Sequence, residues 1–173
     1  MLHLAKPVKG DIVVDCMCGV GTIPLISARW FPGTYALGGE KDPEALQYTK
    51  ENLHTFWKHM AGQDQGAGGA GWGGGGAEAC AWDVQALPLR DSSVDVMVVD
   101  MPFGVSCGSP RANQRLYPNA LREMARVLRP LTGRAVLLLR SPKMLGLPEL
   151  QEGGGSSQSR KTRRSRNRDG GRG

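Results

Sequence analysis

Short apolar runs alternate along the chain with longer segments whose apolar residues recur every three or four positions. Five runs are rich in aliphatic and β-branched residues and short enough to be buried strands: Ile12–Cys16, Thr34–Glu40, Glu78–Val84, Val94–Met101 and Arg134–Ser141. Between them the period changes to that of a helix. In Asp42–Trp57, Asp42 suits an N-cap and Pro43 a first helical position, while Leu46, Thr49, Leu53 and Phe56 fall on one stripe. Tyr117–Arg129 puts Leu121, Met124, Ala125 and Leu128 on one face, and Pro130 ends it. A shorter helix after Gly21 carries Ile23, Ile26 and Trp30. Alternating helices and near-continuous apolar strands predict the α/β class, a doubly wound and mostly parallel sheet covered on both faces. Such sheets bind ligands at the carboxyl ends of their strands.

Two stretches interrupt this pattern. Residues 62–76 are so rich in glycine that no regular structure is expected there. From Gln151 onward no apolar residue remains to anchor the chain, so disorder is expected. The reading is one domain over residues 1–147, followed by a basic tail over 148–173. A length of 173 residues and a mass of 18.6 kDa fit a single domain. The net charge of +6 belongs mostly to the tail: residues 1–150 hold 15 Lys and Arg against 14 Asp and Glu, whereas 151–173 hold 7 against 2. The run RKTRRSRNR suits nonspecific RNA binding or nuclear import. No apolar run approaches the roughly 20 residues of a membrane-spanning helix, and no membrane partner is expected. The amino terminus lacks the apolar core of a secretion signal, so Cys16, Cys18, Cys80 and Cys107 read as reduced thiols in a cytoplasmic protein.

Chemistry concentrates where strands end. The first strand runs into Asp15-Cys16-Met17-Cys18-Gly19-Val20-Gly21-Thr22. Glycines there permit a tight turn and a close ligand approach, and the following helix offers free N–H groups. A nicotinamide dinucleotide is one candidate, but Pro24 occupies the third glycine position of its fingerprint. Asp15 would repel a pyrophosphate and attract a cation. S-adenosylmethionine suits this loop better, because its amino group and sulfonium are positive. Glu40 closes the second strand, 21 residues after Gly19, where an acid commonly binds ribose hydroxyls. Asp83, in Ala81-Trp82-Asp83-Val84, is placed to accept from an adenine amine. A solvated strand-end carboxylate explains either acid alone, but three in succession are harder to dismiss.

The fourth strand ends in Asp100-Met101-Pro102-Phe103-Gly104. An exocyclic amine is a poor nucleophile because its lone pair is delocalised into the ring. Accepting its two N–H bonds, one at Asp100 and one at a carbonyl near Pro102, favours the pyramidal form with its lone pair available. Phe103 can stack on the base, and Pro102 stiffens the loop for an in-line transfer. Metal binding is not expected, since Cys16 and Cys18 lack the C-x-x-C spacing of a zinc site. His3, His54 and His59 read as surface or helix-end residues. Arg111, Arg115, Arg122 and Arg126 are candidates to line an RNA backbone path, although a solvated helix face explains Arg122 and Arg126 equally well.

The runs DCMCGVGTIP, GGEKDPEAL, WDVQALPLRDSSVDVMVVDMPFG and LYPNALREMARVLRPLTGRAVLLL together resemble the methyltransferase domain of THUMP-domain-containing tRNA guanine-N2 methyltransferases. The resemblance covers about residues 5–145 and is specific, because the D-x-P-F-G loop and the following LYP helix match in order. It implies a class I, Rossmann-like fold, S-adenosylmethionine as donor and the guanine N2 amine of tRNA as acceptor. The implied roles fall on Asp15, Gly19 and Gly21 for the methionine end and its loop, Glu40 for ribose, Asp83 for adenine, and Asp100, Pro102 and Phe103 for the target amine, with Thr22 and Val84 also expected to bind the cofactor. A small zinc-containing activator subunit is an implied partner. Cys16 departs from the family's usual proline, the THUMP region is missing, and the last antiparallel strand pair is not visible. A shortened, catalytically silent module that binds the activator or RNA is therefore the alternative. An N6-adenine or glutamine N5 methyltransferase also fits the amine-binding loop, and a dehydrogenase stands third.

Overall fold

The computed structural model describes residues 1–63, 75–102 and 110–139, excepting the side chains of 61–63 and 110–115. Five parallel strands form one sheet in the order β3-β2-β1-β4-β5: β1 (Ile12–Asp15), β2 (Tyr35–Glu40), β3 (Gly76–Ala81), β4 (Val96–Asp100) and β5 (Arg134–Leu138). Helices α1 (Leu2–Ala5), α2 (Thr22–Trp30), α3 (Pro43–Gln63) and α4 (Pro110–Val127) lie between or before them. The chain reverses its direction of sheet growth between β1 and β4, the place where doubly wound sheets open a ligand crevice.

The two-residue period of the strands explains the layering. In β4, Val96, Met97, Val98 and Val99 are all 0% exposed. Met97 and Val99 join Val14, Trp82, Tyr117, Met124 and Val127 on one side of the sheet. Val96 and Val98 meet Leu2, Ala5 and Val13 on the other. Each such side chain contributes roughly 1.5–3 kcal/mol on burial, so β4 is the main anchor of both layers. The predicted stripe of α3 holds: Leu46, Thr49 and Leu53 are buried, and Phe56 and Trp57 lie over Ala36 and Ala77.

Boundaries differ from the sequence reading where tertiary contacts extend or shorten an element. The short α1 was not expected, since four residues carry no period; burial of Leu2 and Ala5 holds it. Helix α3 runs past Trp57 to Gln63, so residues 62 and 63 of the glycine-rich stretch are helical, and Gly76 pairs with Tyr35 to begin β3. Residues 64–74 lie outside the described chain. β3 ends at Ala81 rather than Val84, because Trp82 turns inward and donates its indole N–H to the Cys16 carbonyl at 3.1 Å. α4 starts at Pro110 rather than Tyr117 and includes Pro118; a proline suits a first helical position, which lacks an N–H partner in any case. β5 is followed only to Leu138, and Ser141 and the tail at 148–173 lie outside the described residues.

Candidate active site

Parallel register brings the carboxyl ends of four adjacent strands to one rim, and each contributes an acid. Across the sheet they run Asp83 (two residues past β3), Glu40 (β2), Asp15 (β1) and Asp100 (β4). Asp15 is 2% exposed and accepts the Met17 N–H at 3.1 Å. Burial pushes its carboxyl up to about 7, and the charges of Asp100 and Glu40 add to the shift. Asp100 is exposed at the rim. Among the described residues no Lys, Arg or His forms an ion pair with Asp15, Glu40 or Asp100. An excess of negative charge beside a desolvated carboxyl calls for a cationic ligand.

Glu40 is more than a strand-end acid. Its Oε2 accepts the Gly19 N–H at 2.9 Å, and its Oε1 accepts the Lys41 and Asp42 N–H groups, both at 2.8 Å. One carboxylate thus ties the loop after β1 to the loop after β2. Asp83 accepts from Lys41 Nζ at 2.7 Å and from the Gln85 N–H at 3.0 Å, and the Lys41 ammonium holds its carboxyl below the usual range.

Between β1 and α2, Gly19 and Gly21 have φ of +55° and +85°, a conformation that favours glycine. A side chain at Gly19 would meet nothing within 4 Å, so the space above its backbone is open to a ligand. At Gly21 a Cβ would lie 2.7 Å from Thr49 Cγ2, so α3 presses directly on the loop. Thr49 donates its hydroxyl to the Gly19 carbonyl, and Asn52 donates to the Val20 carbonyl at 2.9 Å. Sequence reasoning placed Thr49 on the correct face but only as part of an apolar stripe. A lone threonine among aliphatic stripe positions was the available signal. Gly39 was also missed: a Cβ there would lie 1.5 Å from the Trp82 ring, so this glycine gives the indole its place.

A small cleft of about 140 Å³ opens beside this rim, walled by Met17, Trp82, Val84 and Leu116 and edged by Glu40, Lys41, Asp83 and Gln85. Drug-sized ligand sites run to roughly 300–1,000 Å³, so this cleft by itself holds one planar ring of a ligand. Of the predicted site residues, Glu40, Asp83 and Val84 line it, Asp15 and Gly19 lie along the same rim, and Thr22 is exposed on the first turn of α2, outside the cleft. Phe103 lies outside the described residues. Burial pushes the Cys16 and Cys18 thiols up, Cys18 to about 12, so both stay neutral and offer no nucleophile near pH 7.

The Pro102 carbonyl, near which an acceptor for the target amine is expected, accepts the Tyr117 hydroxyl at 2.6 Å, and the Asp100 carboxylate is exposed at the end of β4. One expectation needs correction. Arg126 is not part of an RNA path or a solvated face: it bonds both Glu123 oxygens, the Leu87 and Leu89 carbonyls and Asp91, at 2.6–2.9 Å. In return its hydrogen bonds hold the Glu123 carboxyl down to about 2. Arg122 remains exposed, with its guanidinium 3.2 Å from Asn119 Oδ1, and the side chains of Arg111 and Arg115 lie outside the described set.

The chain matches the family described as RMKL-like, methyltransferase domain, over residues 1–161. It is 43% identical over 143 residues to tRNA (guanine(6)-N(2))-methyltransferase THUMP3 of Mus musculus, covering 83% of this chain and 28% of that protein. It is 34% identical to U6 snRNA (guanine-N(2))-methyltransferase THUMPD2 of Bos taurus, covering 80% and 24%. The chain therefore spans about a quarter of the length of these curated relatives. Among solved structures, TrmN from Thermus thermophilus superposes with a TM-score of 0.62 at 25% identity, over 84% of this chain and 38% of that one. The methyltransferase bound to the Trm112 activator of Haloferax volcanii shares the fold, with a TM-score of 0.53 at 20% identity over 79% of this chain and 48% of that one.

Proposed function

This chain belongs to the family of RMKL-like methyltransferase domains, and we propose that it transfers a methyl group from S-adenosylmethionine to the N2 amine of guanine in tRNA. The observation that carries the reading is the row of strand-end acids, three of them without a cation among the described residues, beside the open backbone of Gly19. A pyrophosphate would be repelled there, whereas S-adenosylmethionine brings a sulfonium and an amino group. When bound it supplies an electrophilic methyl on that sulfonium. Glu40 offers remaining lone pairs to ribose hydroxyls, and Asp83 and Val84 suit the edge and face of adenine. Asp15 and the Gly19–Gly21 loop take the methionine end, with Thr22 opening the helix behind it.

Asp100 has the chemistry to receive the target. Its exposed carboxylate accepts an N–H of the guanine amine, turns the nitrogen lone pair toward the methyl and stabilises the positive charge that nitrogen gains. The nitrogen then loses one proton, which the same carboxylate can pass to water. Pro102 and Phe103 complete the loop that holds the base. The tRNA reading rests on the higher identity to the THUMP3 relative than to the U6 snRNA enzyme. A small zinc-containing activator subunit belongs to the same proposal. The likeness in fold to an activator-bound methyltransferase supports the activator, and the family resemblance supplies the zinc. Cytoplasmic residence is also part of the proposal.

Calorimetric titration of S-adenosylmethionine into the purified chain, alone and co-expressed with the activator, tests the reading. We expect saturable binding that Glu40→Ala abolishes, followed by methylation of unmodified tRNA. A folded chain that binds no S-adenosylmethionine in either preparation would sink the enzyme and leave the silent binding module.

A further inference from the structure

The two loops that flank the candidate site share one support, which the proposed chemistry does not yet use. Three polar side chains of α4 reach toward the loop after β3: Asn119 donates to Gln85 Oε1 at 3.1 Å, Glu123 accepts the Leu87 N–H at 2.8 Å, and Arg126 bonds the Leu87 and Leu89 carbonyls. One turn earlier, Leu116 lines the cleft and Tyr117 reaches the loop after β4. Tyr117 is 1% exposed, lies in the core with Met97, Val99 and Met101, and donates its hydroxyl to the Pro102 carbonyl at 2.6 Å. A buried phenol spends its O–H on a partner, and this partner is two residues from Asp100.

We infer that Tyr117 is a positioning residue for methyl transfer: its hydroxyl, anchored through α4 to the loop that edges the cleft, holds the Asp100–Pro102 backbone at a fixed place relative to the cofactor. The inference rests on the proposed function for its chemistry, but not for its geometry. Pro102 has no backbone N–H of its own, and the strand ends at Asp100. Met101 is held by its N–H to the Leu138 carbonyl at 3.1 Å. Tyr117 supplies a further attachment, at the Pro102 carbonyl. Losing it gives the loop freedom at the point where an in-line transfer tolerates least, and misplacement by about an ångström costs on the order of a hundredfold in rate.

Tyr117→Phe removes the hydroxyl and keeps the ring that fills the core. Two readouts separate this inference from the proposed activity. Phe103 is the only phenylalanine that follows a proline in the sequence, so 13C-carbonyl proline with 15N phenylalanine gives one NMR cross-peak for the Pro102–Phe103 peptide. In the wild type that peak should be single and sharp. In Tyr117→Phe the carbonyl signal should move upfield and broaden or split, while circular dichroism stays unchanged. In tRNA methylation, kcat should fall at least about tenfold with the KM for S-adenosylmethionine within twofold. An unmoved, sharp peak overturns the inference whether or not the chain methylates tRNA, and so does a variant with wild-type kcat. If the wild type binds no S-adenosylmethionine, the proposed function fails, and the labelled peptide still decides whether Tyr117 holds the loop.

Discussion

The two ends of the sheet treat acidic residues in opposite ways. At the amino end, Asp11 pairs with Arg134 at 2.8 Å and Asp95 with Arg129 at 3.1 Å, and Asp95 also accepts the Ile12 N–H at 2.9 Å. At the carboxyl end, Asp15, Glu40 and Asp100 carry no such partner among the described residues, and only Asp83 meets a cation, Lys41. Paired acids at one rim join strands to one another and satisfy backbone groups. Acids gathered at the other rim repel each other, and the fold carries that cost where a positive ligand would relieve it. The same residue type therefore serves structure at one end and waits for chemistry at the other.

The sharpest break in this contrast is Asp100→Ala. Methyl transfer should fall by more than about a hundredfold, as it does when one preorganised group at a developing charge is removed. Affinity for S-adenosylmethionine should change by no more than a few fold, and the thermal midpoint should hold. Single-turnover methylation beside calorimetry measures both, and a variant with full turnover removes Asp100 from the mechanism.

Asp15 should show its cost as a pH dependence. Its folded carboxyl is raised to about 7, above the unfolded value near 4, mainly by burial. Below pH 4 both states are protonated and the burial costs nothing. Between pH 4 and 7 the folded state holds the proton that the unfolded state has lost, so stability drops as pH rises. Above pH 7 the full penalty applies, on the order of a few kcal/mol. Asp15→Asn should therefore be more stable than the wild type at pH 8, relative to their difference at pH 4, while binding S-adenosylmethionine at least tenfold more weakly. Urea titrations at the two pH values measure the first effect. Parallel stability curves would show that the Asp15 carboxyl does not titrate in this range.

Much of this rim was legible in the sequence because its signals are local. Asp15, Glu40, Asp83 and Asp100 each follow a short apolar run, and Gly19 and Gly21 punctuate the chain where a strand meets a helix. The supports were not legible, because they join residues far apart in the chain through hydrogen bonds without a period. Thr49 meets Gly19 across 30 residues, Arg126 meets Leu87 across 39, and Tyr117 meets Pro102 across 15. Hydrophobic spacing reports which face of a helix is inward, but not which inward side chain holds a loop. Arg126 shows the error this invites: a charge on a helix read as solvent-facing or RNA-facing is spent on the protein's own backbone.

At the paired rim the prediction reverses. Asp95→Ala removes an acceptor for the Ile12 N–H and the partner of Arg129, so stability should fall by about 2 kcal/mol. S-adenosylmethionine affinity should stay within twofold, since the change lies at the far end of the strands. Denaturant midpoints with calorimetry check both. A variant that loses binding while keeping its stability would dissolve the division between the two rims.

Lys41 tests the contrast at its weakest point, because among the described residues it is the one cation paired at the acidic rim. Its side chain is 71% exposed, and exposed pairs contribute about 0–1 kcal/mol, so Lys41→Ala should leave stability almost unchanged. Its effect on binding depends on what the pair does. If Lys41 merely occupies Asp83, removing it frees a carboxylate for the adenine amine and deepens the negative field that a cationic ligand meets. Affinity should then rise by up to about fivefold, the most that an interaction of this size allows. The gain should shrink as salt rises, since exposed charges are screened within about 8 Å at physiological ionic strength. Tightening that salt abolishes marks Lys41 as a competitor of the ligand. Weakened binding would instead make the Lys41–Asp83 pair a prebuilt wall of the cleft, and the acidic rim would then have one structural pair of the kind found at the opposite end.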